Sequence, residues 1–325
     1  SLRHVLSGET GQVTVRRKVV DASWYTNPVP ATHTPKFEIA DGAHVRPPND
    51  LPRLAARFDR FTVIGAGKTG VDSCVWLLEN GVAPDRIRWI APRDPWFLNR
   101  RYTQPGDAFF ESTFAASANQ RRAMAEARDP DDLARRMEAC GAWLRLDPQI
   151  QPTLFHAATV SEGELALLRE IGDTVRLGRV TRVEAERLVL EHGTLASGRD
   201  TLHVDCTATA LPVRALKPVF DGDRITLQMT RFPMLPFSAA IAAFLEATFK
   251  TDAEKNAFTR PLPLTDTLED YVRGLPGDMA NRYACSKDPV VRAWVANSRL
   301  DGYTRIVRDL DPSDAPRQAI IRELS

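Results

Sequence analysis

The stretch "FTVIGAGKTGVDSCVWLLENG", Phe61 to Gly81, limits what this chain can fold into more than any other. Phe61 to Ile64 are apolar or β-branched and read as a buried strand. Three glycines follow in GxGxxG spacing: Gly65, Gly67 and Gly70. Val71, Cys74, Val75, Leu77 and Leu78 then lie on one helical face, and Asn80-Gly81 is a helix stop. Strand, tight turn and helix open an α/β unit. In a dinucleotide site each glycine has its own task. Gly65 permits the tight turn, Gly67 lets the backbone approach a pyrophosphate, and Gly70 lets the helix press on the strand. Ala66, Lys68 and Thr69 complete the turn. The helix from about Lys68 points its free amides and positive dipole end at the phosphates. A P-loop is excluded, because it needs four residues between its glycines and a Lys-Ser/Thr ending.

The nucleotide is chosen at the end of the second strand, about 20 residues beyond the motif. That position falls on "IAPRDPW", where Arg93 and Asp94 are adjacent. Asp94 would accept from a ribose hydroxyl, as in NAD sites. Arg93 would form charge-assisted bonds with a 2′-phosphate, and because it comes first after the strand, NADP is the expected nucleotide. A solvated Arg-Asp pair at a loop tip is the alternative. Trp96 is either an adenine-stacking ring or packing.

The chain has 325 residues, enough for two domains, and a net charge of +1. Such a balance implies no nucleic-acid partner. The longest apolar runs, such as Ile241 to Leu245, are too short to span a membrane. There is no charged-then-apolar leader, and Cys74, Cys140, Cys206 and Cys285 stand far apart. Free thiols in a reducing cytoplasm are the expectation.

Residues 12–22 alternate in polarity and read as strands. The proline-bearing "NPVPATHTP" and "VRPPNDLP" read as a surface connector, with a boundary near residue 50. "DRIRWIAP" is the second strand. Asp129 caps a helix with Pro130 first and Leu133, Met137, Cys140 and Leu144 on its buried face. Ser161 and Glu164 form a capping box. Thr174 to Glu191 reads as an antiparallel meander with turns near Gly178 and Glu186-Arg187. Thr201 to Pro212 holds one more strand ending in a sharp turn. The strand "RITLQM", the helix "FSAAIAAFLEATF" and a mostly helical tail from Thr251 complete the chain.

"RKVVDASWYTNPVP" (Arg17 to Pro30) and "TLHVDCTATALPV" (Thr201 to Val213) echo one another. Each is a short apolar strand, an Asp, small residues and a proline-bearing exit. They flank the glycine-turn unit, as if it were inserted between two strands of another sheet. Two ordinary strand-to-turn junctions would look the same.

With "VIGAGKTG", "RIRWIAPRDPWFLNR", "HVDCTA" and "DGDRITLQ…FSAAIAAFLEA", the chain from about Arg16 to Leu245 resembles FAD/NAD(P)-dependent flavoproteins. These are relatives of flavin-containing monooxygenases and pyridine-nucleotide oxidoreductases. The resemblance implies a Rossmann-type NAD(P)-binding domain with an antiparallel β-meander, inserted in an FAD-type α/β domain. Residues 1–50 would be partial FAD-domain strands and linker, 51–204 the NAD(P) domain, and 205–325 the rest of the FAD domain with a helical C-terminal region. Gly65, Gly67 and Gly70 match the second fingerprint of such proteins. "VVDAS" and "VDCTA" resemble the strand ends joining the domains, which makes Asp205 and Thr207 cofactor-binding candidates. The family's first fingerprint has no counterpart: "SGETGQ" lacks a strand before it and a helix after it. A start at Ser1 fits an N-terminal segment upstream or in a partner. The implied activity is hydride transfer from NADPH to FAD, with or without oxygenation, on a small molecule that the sequence does not specify. A homo-oligomer fits equally.

No GxSxG, HExxH or CxxxxC pattern occurs, and the six histidines are scattered. Cys206 reads as a packing thiol. In a flavin mechanism the cofactor does the redox chemistry, so this silence is expected. A module that binds NAD(P) without turnover is the alternative. A single-domain dehydrogenase fits less well, because the fingerprint follows about 60 residues and lacks a Tyr-Lys or His-Asp pair.

Overall fold

The computed structural model describes all residues except 26–27, 105, 210–213 and 325. The exits of both echo segments fall partly on these, so the end of the stretch Thr201 to Pro212, expected to close in a sharp turn, lies partly outside the described residues. The fold is mixed α/β, with several sheets and two compact units. One unit comprises 1–26, 213–263 and 274–295. The other comprises 27–212, 264–273 and 296–325. The helical tail, expected to stay with residues 205–325, is thus divided between the units.

The larger unit is built on a parallel five-stranded sheet. Its strands are β1 (Val45–Arg46), β2 (Arg60–Ile64), β3 (Ile87–Ile90), β4 (Asp173–Val175) and β5 (Thr201–Asp205), in the spatial order β4-β3-β2-β5-β1. Parallel strands need crossovers and are buried on both faces, and here two apolar clusters do this. On one face Phe61, Val63, Trp89, Leu202 and Val204 pack with Val71, Cys74 and Leu77 of helix α1 (Lys68–Glu79) and with Leu165 and Leu168 of α2 (Glu162–Leu168). On the other, Val45, Ile64 and Ile90 pack with Val180, Val183, Leu188 and Leu190.

Those last residues belong to the meander, whose strands are Val180–Val183, Arg187–Leu190 and Gly193–Ala196, with Glu38–Ile39 added in parallel. The meander therefore starts later than Thr174. Residues Asp173–Val175, expected as its first strand, pair in parallel with β3 instead. Pairing by a three-residue strand is set by its neighbours in space, not by its own alternation. Gly178, with φ +79°, makes the bend between the two sheets. The helix capped by Asp129 runs Pro130–Ala139, and Gly141 at φ +73° ends it. Leu144, expected on that helix, lies in the strand Trp143–Arg145. The capping box of α2 is present, with Ser161 and Glu164 bonding each other's backbone amides.

The smaller unit holds a sheet in the order Phe220–Asp221, Arg224–Thr226, Val19–Asp21, the last two strands being parallel. The helix Leu235–Thr248 supplies Phe237, Ile241, Ala242 and Leu245 to its core. Of the strands expected through residues 12–22 only Val19–Asp21 forms, and Val13 and Val15 stay exposed. The echo strands lie in different sheets: Val19–Asp21 in this unit, and β5 in the middle of the parallel sheet. Among the described residues no helix is long and apolar enough to cross a membrane.

Candidate functional site

In-register pairing of β2 with β3 and β5 brings Ile64, Ile90 and Asp205 level at the carboxyl end of the sheet. There the chain leaves β2 through Gly65, whose φ is +122°, a conformation that side chains rarely adopt. Its amide donates to the Ile90 carbonyl at 2.9 Å, and its own carbonyl accepts from Trp89 Nε1 at 2.9 Å. A Cβ at Gly65 would stand 2.8 Å from the Cys206 carbonyl oxygen. Gly70, one turn into α1, is tighter still: a Cβ there would stand 2.0 Å from the Gly65 carbonyl oxygen. Gly67 differs from both. Its φ of −72° and ψ of 177° suit any residue, and a Cβ there would meet nothing within 4 Å. It is the N-cap of α1 and supplies no side-chain cap, so the first amides of the helix lack the partner that a Ser or Asp would give them.

Lys68 opens α1. It pairs with Asp72 one turn on and lies 3.7 Å from Glu164 Oε1. Arg100 approaches the other oxygen of Glu164 at 3.4 Å. Burial raises the Glu164 carboxyl, but its bonds with Ser161, with Lys68 and Arg100 nearby, hold it below its ordinary value. Two cations are thereby gathered beside the turn. The capping box is legible in sequence; the second task of Glu164, bridging Lys68 and Arg100, is not.

Asp205 and Thr207 stand beside the turn, because β5 neighbours β2. The Asp205 carboxylate accepts from the Thr207 amide at 2.9 Å and from its hydroxyl at 2.6 Å. His33 Nε2 lies 3.3 Å from the Thr207 hydroxyl oxygen. In the other echo, Asp21 accepts from the Ser23 amide at 3.0 Å and hydroxyl at 2.8 Å. The two echo segments thus share one local turn, a carboxylate closing on the residue two ahead. Cys206 is buried against Ser73, and burial pushes its thiol up to about 12. It is no nucleophile at neutral pH.

No protein-family profile matches this sequence. Uncharacterized proteins of Mycobacterium tuberculosis and Mycobacterium bovis are 39% identical to it over 319 residues, 97% of the chain. The chain spans 59% of the length of these relatives.

Arg93 and Asp94 follow β3, but their side chains are engaged within the protein. Asp94, expected to accept from a ribose, has a side chain 2% exposed and takes both nitrogens of a bidentate fork from Arg176, at 2.7 and 2.9 Å. Arg176 comes directly after β4, the strand beside β3, which is why it reaches Asp94. Arg93 forms a second fork, with Asp266, at 2.8 and 2.9 Å. His156 Nε2 reaches the same carboxylate at 2.9 Å. The Arg93 guanidinium, helped by His156, holds the Asp266 carboxyl at about 2 against the effect of burial. Trp96 is 1% exposed and packs against Trp143 with ring centroids 6.0 Å apart. A separate cavity of about 230 Å³ lies at the opposite end of the strands, among Arg60, Arg88, Asp173, Ser197 and Thr201.

Proposed function

We propose that the larger unit is a Rossmann-type domain that binds a nicotinamide dinucleotide at the turn Gly65–Gly70. Gly67 carries this reading. Gly65 and Gly70 are explained by the fold alone, since a Cβ at either would strike backbone. Gly67 is not, since its backbone angles and its open surroundings accept any side chain. What a side chain there would obstruct is approach to the amides of α1, where a pyrophosphate binds. The parallel order β4-β3-β2-β5-β1, with the turn after the central strand, supports the same reading. So do the cations Lys68 and Arg100 beside it.

For a protein of the relatives' full length, the flavoprotein resemblance supports an NAD(P)H-dependent oxidoreductase that passes hydride to FAD, with or without oxygenation. A single GxGxxG occurs in these 325 residues, so an FAD pyrophosphate has no matching cradle in this chain. The chain supplies the nicotinamide half: it holds and orients the dinucleotide. The single GxGxxG of these 325 residues also supports a second reading, a module that binds NAD(P) without turnover.

Gly67→Val is expected to lower NADH and NADPH affinity by at least about tenfold by blocking the pyrophosphate approach. Its thermal unfolding should remain close to that of the parent chain. Calorimetric titration measures the affinities, and retained binding with an intact fold would reject the site. A flavin band in the visible spectrum of the purified chain would show that FAD binds here after all.

A further inference from the structure

The geometry points to Asp266 as the residue that selects the coenzyme, so that this site takes NADH, with its free adenosine 2′-hydroxyl, in preference to NADPH. This rests on the dinucleotide reading of the Gly65–Gly70 turn. In such sites the end of the second strand faces the adenosine ribose, and either an acid accepts from the 2′-hydroxyl or an arginine takes a 2′-phosphate. Arg93 occupies that place in the chain, three residues past Ile90. Its fork is already filled by a carboxylate with the charge sign and the spacing of two phosphate oxygens.

Asp266 is not loosely placed. Its backbone amide donates to Asp270 Oδ2 at 3.2 Å, and its carbonyl accepts from the Phe155 amide at 3.0 Å. Thr267 adds its own amide to Asp270 at 3.1 Å. Arg93 and His156 then fix the side chain with three contacts of 2.8 to 2.9 Å. A carboxylate offers about four lone-pair positions, so one stays open, and the side chain is 41% exposed. It can accept one hydroxyl proton. Asp94 cannot serve instead, because both its oxygens are held by Arg176 and it is buried. A 2′-phosphate at this place would meet the Asp266 charge and would have to displace it from Arg93 and His156.

Titrating the full chain with NADH and with NADPH tests this. The parent chain should bind NADH about tenfold or more tightly than NADPH, the ratio carried by one contact to a charged group. Asp266→Asn should close or reverse that ratio by freeing Arg93. Adding Arg93→Ala to it should abolish the NADPH affinity gained. NADPH bound by the parent as tightly as NADH, or an unchanged ratio in a folded Asp266→Asn chain, would overturn the assignment. The parent ratio decides by itself if the variant does not fold. If the parent binds neither coenzyme, the dinucleotide reading itself falls, and the selection with it.

Discussion

Gly70→Ala should destabilise the larger unit by about 3 kcal/mol or more, the upper range of overpacking combined with a disturbed buried hydrogen bond. The added methyl would stand 2.0 Å from the Gly65 carbonyl oxygen and 3.0 Å from its carbon. Neither can yield cheaply. That carbonyl accepts from Trp89 Nε1, whose ring is 0% exposed, and the Gly65 amide is fixed to Ile90 on the neighbouring strand. Relief requires α1 to lift from β2, which opens the packing of Val71, Cys74 and Leu77 on Val63 and Trp89. Gly67→Ala is the control. Its methyl meets nothing, and it should cost no more than about 1 kcal/mol, the difference between glycine and alanine at an N-cap. Denaturant unfolding of the two variants measures the difference. A Gly70→Ala chain within about 1 kcal/mol of the parent would mean that α1 is not seated on the strand as described.

The turn was legible because its causes are local. A strand of apolar residues, three glycines at fixed spacing and a one-sided helix lie within 21 residues, Phe61 to Gly81, and each part restricts the next. The caps at Asp129 and Ser161 were legible for the same reason, since donor and acceptor are three residues apart. The echo of Asp21-Ser23 with Asp205-Thr207 was visible as a pattern of Asp and small residues. Its meaning as a domain junction was not, because sheet membership depends on partners far along the chain.

The loop after β3 shows the limit most clearly. Arg93 and Asp94 are neighbours in sequence and were the natural pair to weigh against each other. In the fold they do not compete. Asp94 answers to Arg176, 82 residues away, and Arg93 to Asp266, 173 residues away. Each partner is an ordinary charged residue in its own surroundings, with no spacing to mark it. The alternation that continues from Thr174 into the meander hides that Arg176 follows a strand of the parallel sheet. A bidentate fork is a property of three-dimensional approach, and only the packed chain discloses which of several acids an arginine meets.

The same packing leaves a histidine that should make the fold sensitive to mild acid. His203 sits in the middle of β5 and is 1% exposed. Its Nε2 lies 3.5 Å from the Ser197 hydroxyl oxygen, and its Nδ1 has no hydrogen-bond partner. Burial, with His44 and Arg88 adding repulsion, lowers its value from 6.5 to about 4. Above pH 6.5 the ring is neutral in folded and unfolded chains alike, and the fold keeps its full stability. Between 6.5 and 4 only the unfolded chain takes up the proton, so stability falls as pH falls. Below 4 both states are charged and the loss levels off, on the order of 3 kcal/mol in all. Carboxylates held low, Glu164 from an ordinary value of 4.5 and Asp266 from 3.8, begin to lose their contribution from about pH 5 and so add to the decline only in the lower part of this window. Urea unfolding of the parent chain at pH 7.5, 5.5 and 4.5 should therefore show declining stability, and His203→Gln should flatten that slope whatever it does to stability at pH 7.5. An equal slope in both chains would mean that the proton binds elsewhere, and that β5 admits more water around His203 than its burial implies.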